Sequence, residues 1–139
     1  MHERATGFEG SLDLAVRDLK ARSSKFDWVG VYLLKDDVLE LGPYVGTEPS
    51  HKVIPVGKGV CGLAVSSGKN QNISDVKVSE HYLACDPAVR SELVVLIRNP
   101  KGSIVGQIDI DSQTPDAFGE EEESMVKKVA EELGEKWNE

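Results

Sequence analysis

Three scarcities narrow the chemistry before any residue is placed. The chain has only two cysteines, Cys61 and Cys85, no CxxC spacing, and three histidines scattered at positions 2, 51 and 81. A structural zinc site needs four clustered ligands, so no metal centre is expected from this pair. A reducing compartment and a chain of this length also make a disulfide staple unnecessary, which leaves a redox pair as the remaining joint use for two thiols. No basic run exceeds Lys127-Lys128 and the net charge is −8, so a phosphate backbone would be repelled and nucleic acid is not an expected partner. No apolar stretch approaches the roughly 20 residues that cross a bilayer, and "MHERATGFEG" lacks a signal-peptide core. A cytoplasmic protein without a membrane partner is therefore expected.

What is present suits one globular domain over residues 1–139, with a hydrophobic fraction of 40% and ordinary Gly and Pro. Phe8, Leu12, Ala15 and Leu19 recur at helical spacing between charged residues, which predicts an amphipathic helix over 8–22. "FDWVGVYLL" alternates, with Val29, Val31 and Leu33 on one face and Trp28, Gly30 and Tyr32 on the other. Asp36-Asp37 reads as a turn and "VLELG" as the returning strand. "KVIPV" is a short strand, and "GKGVCGLAVSSGK" a glycine-rich turn entering a helix that ends near Gly68. "QNIS" is a further strand, and residues 76–90 form a long connection of the kind that is often functional. "SELVVLIRNPKGSIVGQIDIDS" is a hairpin turning at Asn99-Pro100-Lys101-Gly102 and is expected at the centre of the sheet. The Glu-rich start of the last helix suits the positive end of its dipole, and Met125, Val126, Val129, Leu133 and Trp137 form its apolar stripe. The order predicts an α+β domain whose mainly antiparallel sheet carries the terminal helices on one face and the middle helix on the other.

Alternation along "SIVGQIDIDS" puts Ile104, Gly106, Ile108 and Ile110 on one face and Val105, Gln107, Asp109 and Asp111 on the opposite one. Two carboxylates on one strand face either are solvated or receive something positive. Trp28 and Tyr32, with Gly30 between them, would leave an open floor flanked by rings. Core packing is the common fate of such aromatics, but beside two carboxylates they would form a box for a small ammonium ligand. Cys61 falls in the first turn of the middle helix, where free N–H groups and Lys58 favour a thiolate. Cys85 lies in the long connection, between the opposing influences of Asp86 and Arg90. Taken singly, each cysteine reads more readily as a small buried hydrophobe. Together they would need Cα atoms roughly 4.4 to 6.8 Å apart to pair. The glycine-rich turn lacks the GxxxxGK[ST] pattern of a phosphate cradle, and the histidines read as surface residues.

The segments "DWVGVYLLKDDVLELGPYVG", "IPVGKGVCGLAVSSGK", "HYLACDPAVRSELVV" and "GSIVGQIDIDS…F" resemble, in that order, a GAF-type domain of the free methionine-(R)-sulfoxide reductase family. The likeness covers about residues 26–118, and ordinary GAF sensors do not combine GVCG, ACD, SE and DIDS. It implies reduction of the R epimer of free methionine sulfoxide by cysteine chemistry, with no metal or bound cofactor and with thioredoxin or a similar dithiol as reductant. By the resemblance, Trp28 and Tyr32 are the aromatic wall and Glu92, Asp109 and Asp111 the acidic substrate-binding residues. Cys61 and Cys85 match two cysteines of a three-cysteine pattern, and His51 stands where the third usually lies. That departure leaves Cys61 as the partner for Cys85.

The implied mechanism has the Cys85 thiolate attack the sulfoxide sulfur while Glu92 or Asp109 supplies a proton, after which Cys61 condenses with the sulfenic acid. The two cysteines could exchange roles. Two other readings stand beside the enzyme: a non-catalytic GAF sensor using the same pocket, and a structural partner that forms a homodimer through its sheet edge or terminal helices.

Overall fold

The structure is a computed structural model that describes residues 2–78 and 88–137. Residues 79–87, with Cys85 and His81, and the side chain of Phe8 lie outside the described part. Among the described residues no helix is long and apolar enough to cross a membrane.

The elements run α1 (His2–Arg22), β1 (Trp28–Lys35), β2 (Val38–Val45), β3 (Val53–Pro55), α2 (Gly59–Ser67), β4 (Gln71–Ile73), β5 (Ser91–Arg98), β6 (Ile104–Ser112) and α3 (Glu120–Glu135). A 3-10 turn, Val76–Val78, follows β4. The six strands form one sheet in the order β3-β2-β1-β6-β5-β4, with every neighbouring pair antiparallel. This is the expected α+β architecture, with β1 and β6 as the central pair and the β5–β6 hairpin offset to one side.

The pleat explains the two cores. Residues two apart on a strand share a face, so β1 sends Val29 and Val31 into a core with Leu12, Val16 and Leu19 of α1 and Val126, Ala130 and Leu133 of α3. Trp28 and Tyr32 enter a second core with Val60, Cys61 and Ala64 of α2. Each fully buried aliphatic side chain contributes about 1.5–3 kcal/mol, and the sheet is thereby clamped from both sides. Helix α1 keeps its polar face in water with the pairs Arg17–Asp13 and Arg22–Asp18. At the start of α3, Glu122 accepts a hydrogen bond from the Gly119 N–H at 2.8 Å, satisfying one of the donors that a helix start leaves open.

Two bulges depart from simple alternation. The β2 strand continues past Gly42 to Val45, because Val31 faces two residues, Gly42 and Pro43, between the pairs Gly30–Tyr44 and Tyr32–Leu41. A proline has no N–H for the ladder, and a bulge accommodates it. On β6, Ile97 pairs with Gly106 and Arg98 with Ile104, so Val105 is the extra residue. The expected faces therefore reverse below Gly106: Val105 packs with the terminal-helix core and Ile104 with the α2 core. From Gln107 onward the expected alternation holds.

Candidate active site

The α2 face of the sheet is a grid of three cross-strand rows. Trp28 on β1 stands opposite Asp111 on β6, which stands opposite Glu92 on β5. The next row is Gly30, Asp109 and Val94, and the third is Tyr32, Gln107 and Leu96. Two carboxylates thus share one edge row while Asp109 sits one step inward, between a glycine and a valine. Glu92 and Asp109 are both 5% exposed, so these are interior carboxyl groups and not a solvated strand end.

Helix α2 closes over this grid and delivers Cys61, itself 5% exposed. The thiol Sγ lies 3.8 Å from Glu92 Oε2, and Gln107 Nε2 donates to the Cys61 carbonyl at 3.1 Å. One ligand-type atom each from Cys61, Glu92 and Asp109 falls within 4.8 Å of the others.

Trp28 is fixed on several sides. Its Nε1–H donates to the Thr47 carbonyl at 2.8 Å, and its ring stacks on Tyr44 with centroids 5.7 Å apart. The ring lies across Gly30, so the expected open floor is covered by the tryptophan. Tyr32 lies 6.5 Å from Trp28 between ring centroids, and its hydroxyl donates to the His51 carbonyl at 3.0 Å. Beside them is a cavity of about 300 Å³, lined by Trp28, Tyr32, Asp109, Asp111 and the Thr47–Pro49 segment. Aromatic walls and buried carboxylates suit a small cationic or zwitterionic ligand.

Comparison with known proteins identifies the fold and the family. The GAF domain family model matches residues 8–136. The chain is 39% identical to the free methionine-R-sulfoxide reductase of Escherichia coli (strain K12), over 92% of this chain and 76% of that one. The chain belongs to the free methionine-R-sulfoxide reductase family of GAF-domain proteins. A solved type II free methionine-R-sulfoxide reductase from Thermoplasma acidophilum superposes with a TM-score of 0.89 at 38% identity, covering 92% of this chain and 90% of that one. The Neisseria meningitidis free methionine-R-sulfoxide reductase, solved in complex with its substrate, superposes at 0.84 with 32% identity, over 93% and 76% of the two chains.

Within this reductase fold, the residues expected at the site fall into two layers. Trp28, Tyr32, Asp109 and Asp111 line the cavity. Cys61 and Glu92 lie behind them, adjoining the cavity at Asp109, with one ligand-type atom of each within 4.8 Å of the others. Cys85 lies outside the described residues, so its place relative to Cys61 does not enter the geometry.

The electrostatics overturn one expectation. Cys61 does occupy the first turn of α2, but its thiol is pushed well above the ordinary value by burial first, and then by Asp109, Glu92 and Asp111. Lys58, expected to favour the thiolate, is the exposed N-cap residue. Burial of the thiol together with three neighbouring carboxyl groups, of which Glu92 and Asp109 are themselves buried and Asp111 half-buried, outweighs a helix terminus, whose effect is about 0.3–1 kcal/mol at exposed sites. Burial also raises the Asp109 carboxyl, although its hydrogen bonds with Glu92 and Cys61 act the other way.

His51, read as a surface residue, is half-buried and helps anchor Tyr32 through its backbone. Arg90, considered as an activator of Cys85, pairs with Asp75 at 3.2 Å. Two contributors had not been singled out from sequence. Gln107 ties α2 to β6, and its place on the acidic face was its signal. The Thr47–Pro49 wall follows Gly46, whose φ of +133° marks a sharp turn where an added Cβ would stand 2.6 Å from Trp28 Cδ1.

Proposed function

We propose that this chain reduces free L-methionine-(R)-sulfoxide to methionine, with Cys85 as nucleophile and Cys61 as the resolving thiol. The observation that carries the reading is the shared cavity of Trp28, Tyr32, Asp109 and Asp111, whose inner acid, Asp109, also touches Cys61. The substrate ammonium would meet the carboxylates, and its methyl sulfur the face of Trp28. The Cys85 thiolate attacks the sulfoxide sulfur. Asp109, whose raised carboxyl favours the protonated form, or Glu92 gives a proton to the sulfoxide oxygen. The oxygen passes to Cys85 as a sulfenic acid and methionine leaves reduced.

Cys61 then attacks that sulfenic sulfur, water departs, and the Cys61–Cys85 disulfide is returned to two thiols by an external dithiol such as thioredoxin. The carboxylates around Cys61 favour this division of labour. They disfavour a free thiolate at rest, which suits a resolving thiol better than an attacking one, and they are positioned to accept its proton when the disulfide forms. With His51 at the position where the family often has a third cysteine, Cys61 alone would serve. The chemistry requires no resident metal or organic cofactor.

The test incubates reduced protein with each epimer of free methionine sulfoxide and a dithiol, and follows methionine by chromatography. Turnover of the R epimer alone is expected, and Cys85→Ser should abolish it while leaving substrate binding measurable. Tight binding of methionine or its sulfoxide without turnover would instead identify a sensor module.

A further inference from the structure

The Cys61, Glu92 and Asp109 cluster has ligand chemistry that reduction of a sulfoxide does not need. We propose that these three residues bind one thiophilic divalent cation of the zinc class, and that a cation held there blocks the site as an inhibitor, not as a cofactor.

Spacing comes first. Thiolate and carboxylate ligands at about 2.3 and 2.0–2.2 Å from a tetrahedral zinc stand roughly 3.5 Å from one another. Here Cys61 Sγ and Glu92 Oε2 are 3.8 Å apart, and all three ligand atoms fall within 4.8 Å. Contraction by about an ångström, within reach of side-chain rotation, completes three corners of a tetrahedron.

A second observation is independent of that spacing. Asp109 Oδ1 is buried and has no hydrogen-bond partner among the described residues, and the same is true of Gln107 Oε1, on the side chain that holds the Cys61 carbonyl. Buried acceptors without donors are rare and costly. A cation at the cluster would supply what the Asp109 oxygen lacks. Asp109 also lines the cavity, which provides an entrance and a fourth position open to water.

The donor set selects the metal. One thiolate with two carboxylates in a compact, buried site favours zinc, cadmium or cobalt over magnesium and calcium, which take six or more oxygen ligands. Thiolate and carboxylates together offer three negative charges to a dication, and binding displaces the protons they hold. A bound cation would occupy Asp109 against the substrate's ammonium and withhold Cys61 from disulfide formation. The inhibitory consequence rests on the proposed reductase activity, whereas binding itself does not.

Cobalt(II) titrated into the reduced, full-length chain reads binding without turnover. One equivalent should produce a thiolate-to-cobalt charge-transfer band that zinc(II) abolishes. The band should persist in Cys85→Ser, vanish in Cys61→Ser, and require about tenfold or more cobalt in Asp109→Asn. Zinc should also slow further the already sluggish alkylation of Cys61 in the unaltered protein, driven by a large excess of iodoacetamide and mapped by mass spectrometry, a readout that needs no variant to fold. Absence of a stoichiometric band, a band that survives Cys61→Ser, or one lost only with Cys85→Ser would each overturn the assignment. Inhibition of methionine formation by zinc is then measured separately. Activity that persists with the cobalt site filled would refute the inhibitory role alone.

Discussion

Gly30 lies directly beneath the ring of Trp28: a methyl group built on Gly30 would stand 2.3 Å from Trp28 Cη2 and 2.7 Å from Cζ3. No side chain larger than hydrogen fits while the ring stays where it is. Gly30→Ala should therefore tilt Trp28 into the cavity, raising KM for the sulfoxide more than it lowers kcat. Overpacking of this kind costs about 1–3 kcal/mol, so thermal unfolding should show a lower midpoint. An unchanged KM and midpoint would mean that the ring moves freely.

Asp109 gives a pH-dependent test. Its folded carboxyl is raised above the ordinary 3.8 by burial, so the folded state binds a proton more tightly than the unfolded state does. Stability from that proton is fully present below the ordinary value and is lost as pH rises through the folded value. Asp109→Asn keeps the shape and cannot ionise. The variant should match the unaltered protein near pH 3.5 and unfold at a higher temperature toward neutral pH. Parallel stability curves across that range would refute a buried, proton-favouring Asp109.

For Cys61 the expected behaviour is inertness. Burial and three neighbouring carboxyl groups hold its thiol well above the ordinary 9.0, and the thiolate is the reactive form. Iodoacetamide at neutral pH should modify Cys61 far more slowly in the folded protein than in denaturant, with the site assigned by peptide mass. Equal rates would show that the sulfur is open to solvent. Because this thiol is raised in the fold, its stabilising contribution is lost only as pH climbs above 9.0 and through the folded value.

Tyr32→Phe removes the hydroxyl that donates to the His51 carbonyl. A hydrogen bond of this type contributes about 0.5–1.5 kcal/mol, which should appear as a small drop in the unfolding midpoint. Loosening the segment that runs to His51 should also raise KM, while kcat changes less. If KM and midpoint both stay put, the hydroxyl adds nothing to the wall.

Much of this arrangement was legible in the sequence because a two-residue period dictates which side chains share a face. That period alone places Trp28 with Tyr32, and Asp109 with Asp111. Facing of Asp111 with Glu92, by contrast, depends on the register of β5 against β6, which emerges only when the whole sheet assembles. The reversal at Ile104 and Val105 was hidden because a bulge leaves the local alternation of residue types untouched. The helix turn that carries Cys61 follows from its own segment, but the electrostatics of its thiol do not. A helix terminus is a local feature that can be read from one segment, whereas the burial that dominates its thiol, and the carboxyl groups that add to it, come from the packing of α2 on two distant strands. Gln107 was visible on the acidic face, but nothing local indicated that its amide would reach α2.

The extra residue at Val105 separates the strand into two independently timed halves. The acidic positions take their datum from β1, through the pairing of Trp28 with Asp111 and Gly30 with Asp109, and not from the hairpin tip at residues 99–103. Length changes in that tip can be absorbed at the bulge before they reach the carboxylates. The tip is thus a natural place to splice in a reporter or open the chain for permutation, and the bulge is the part of the strand that would insulate the chemistry from such editing.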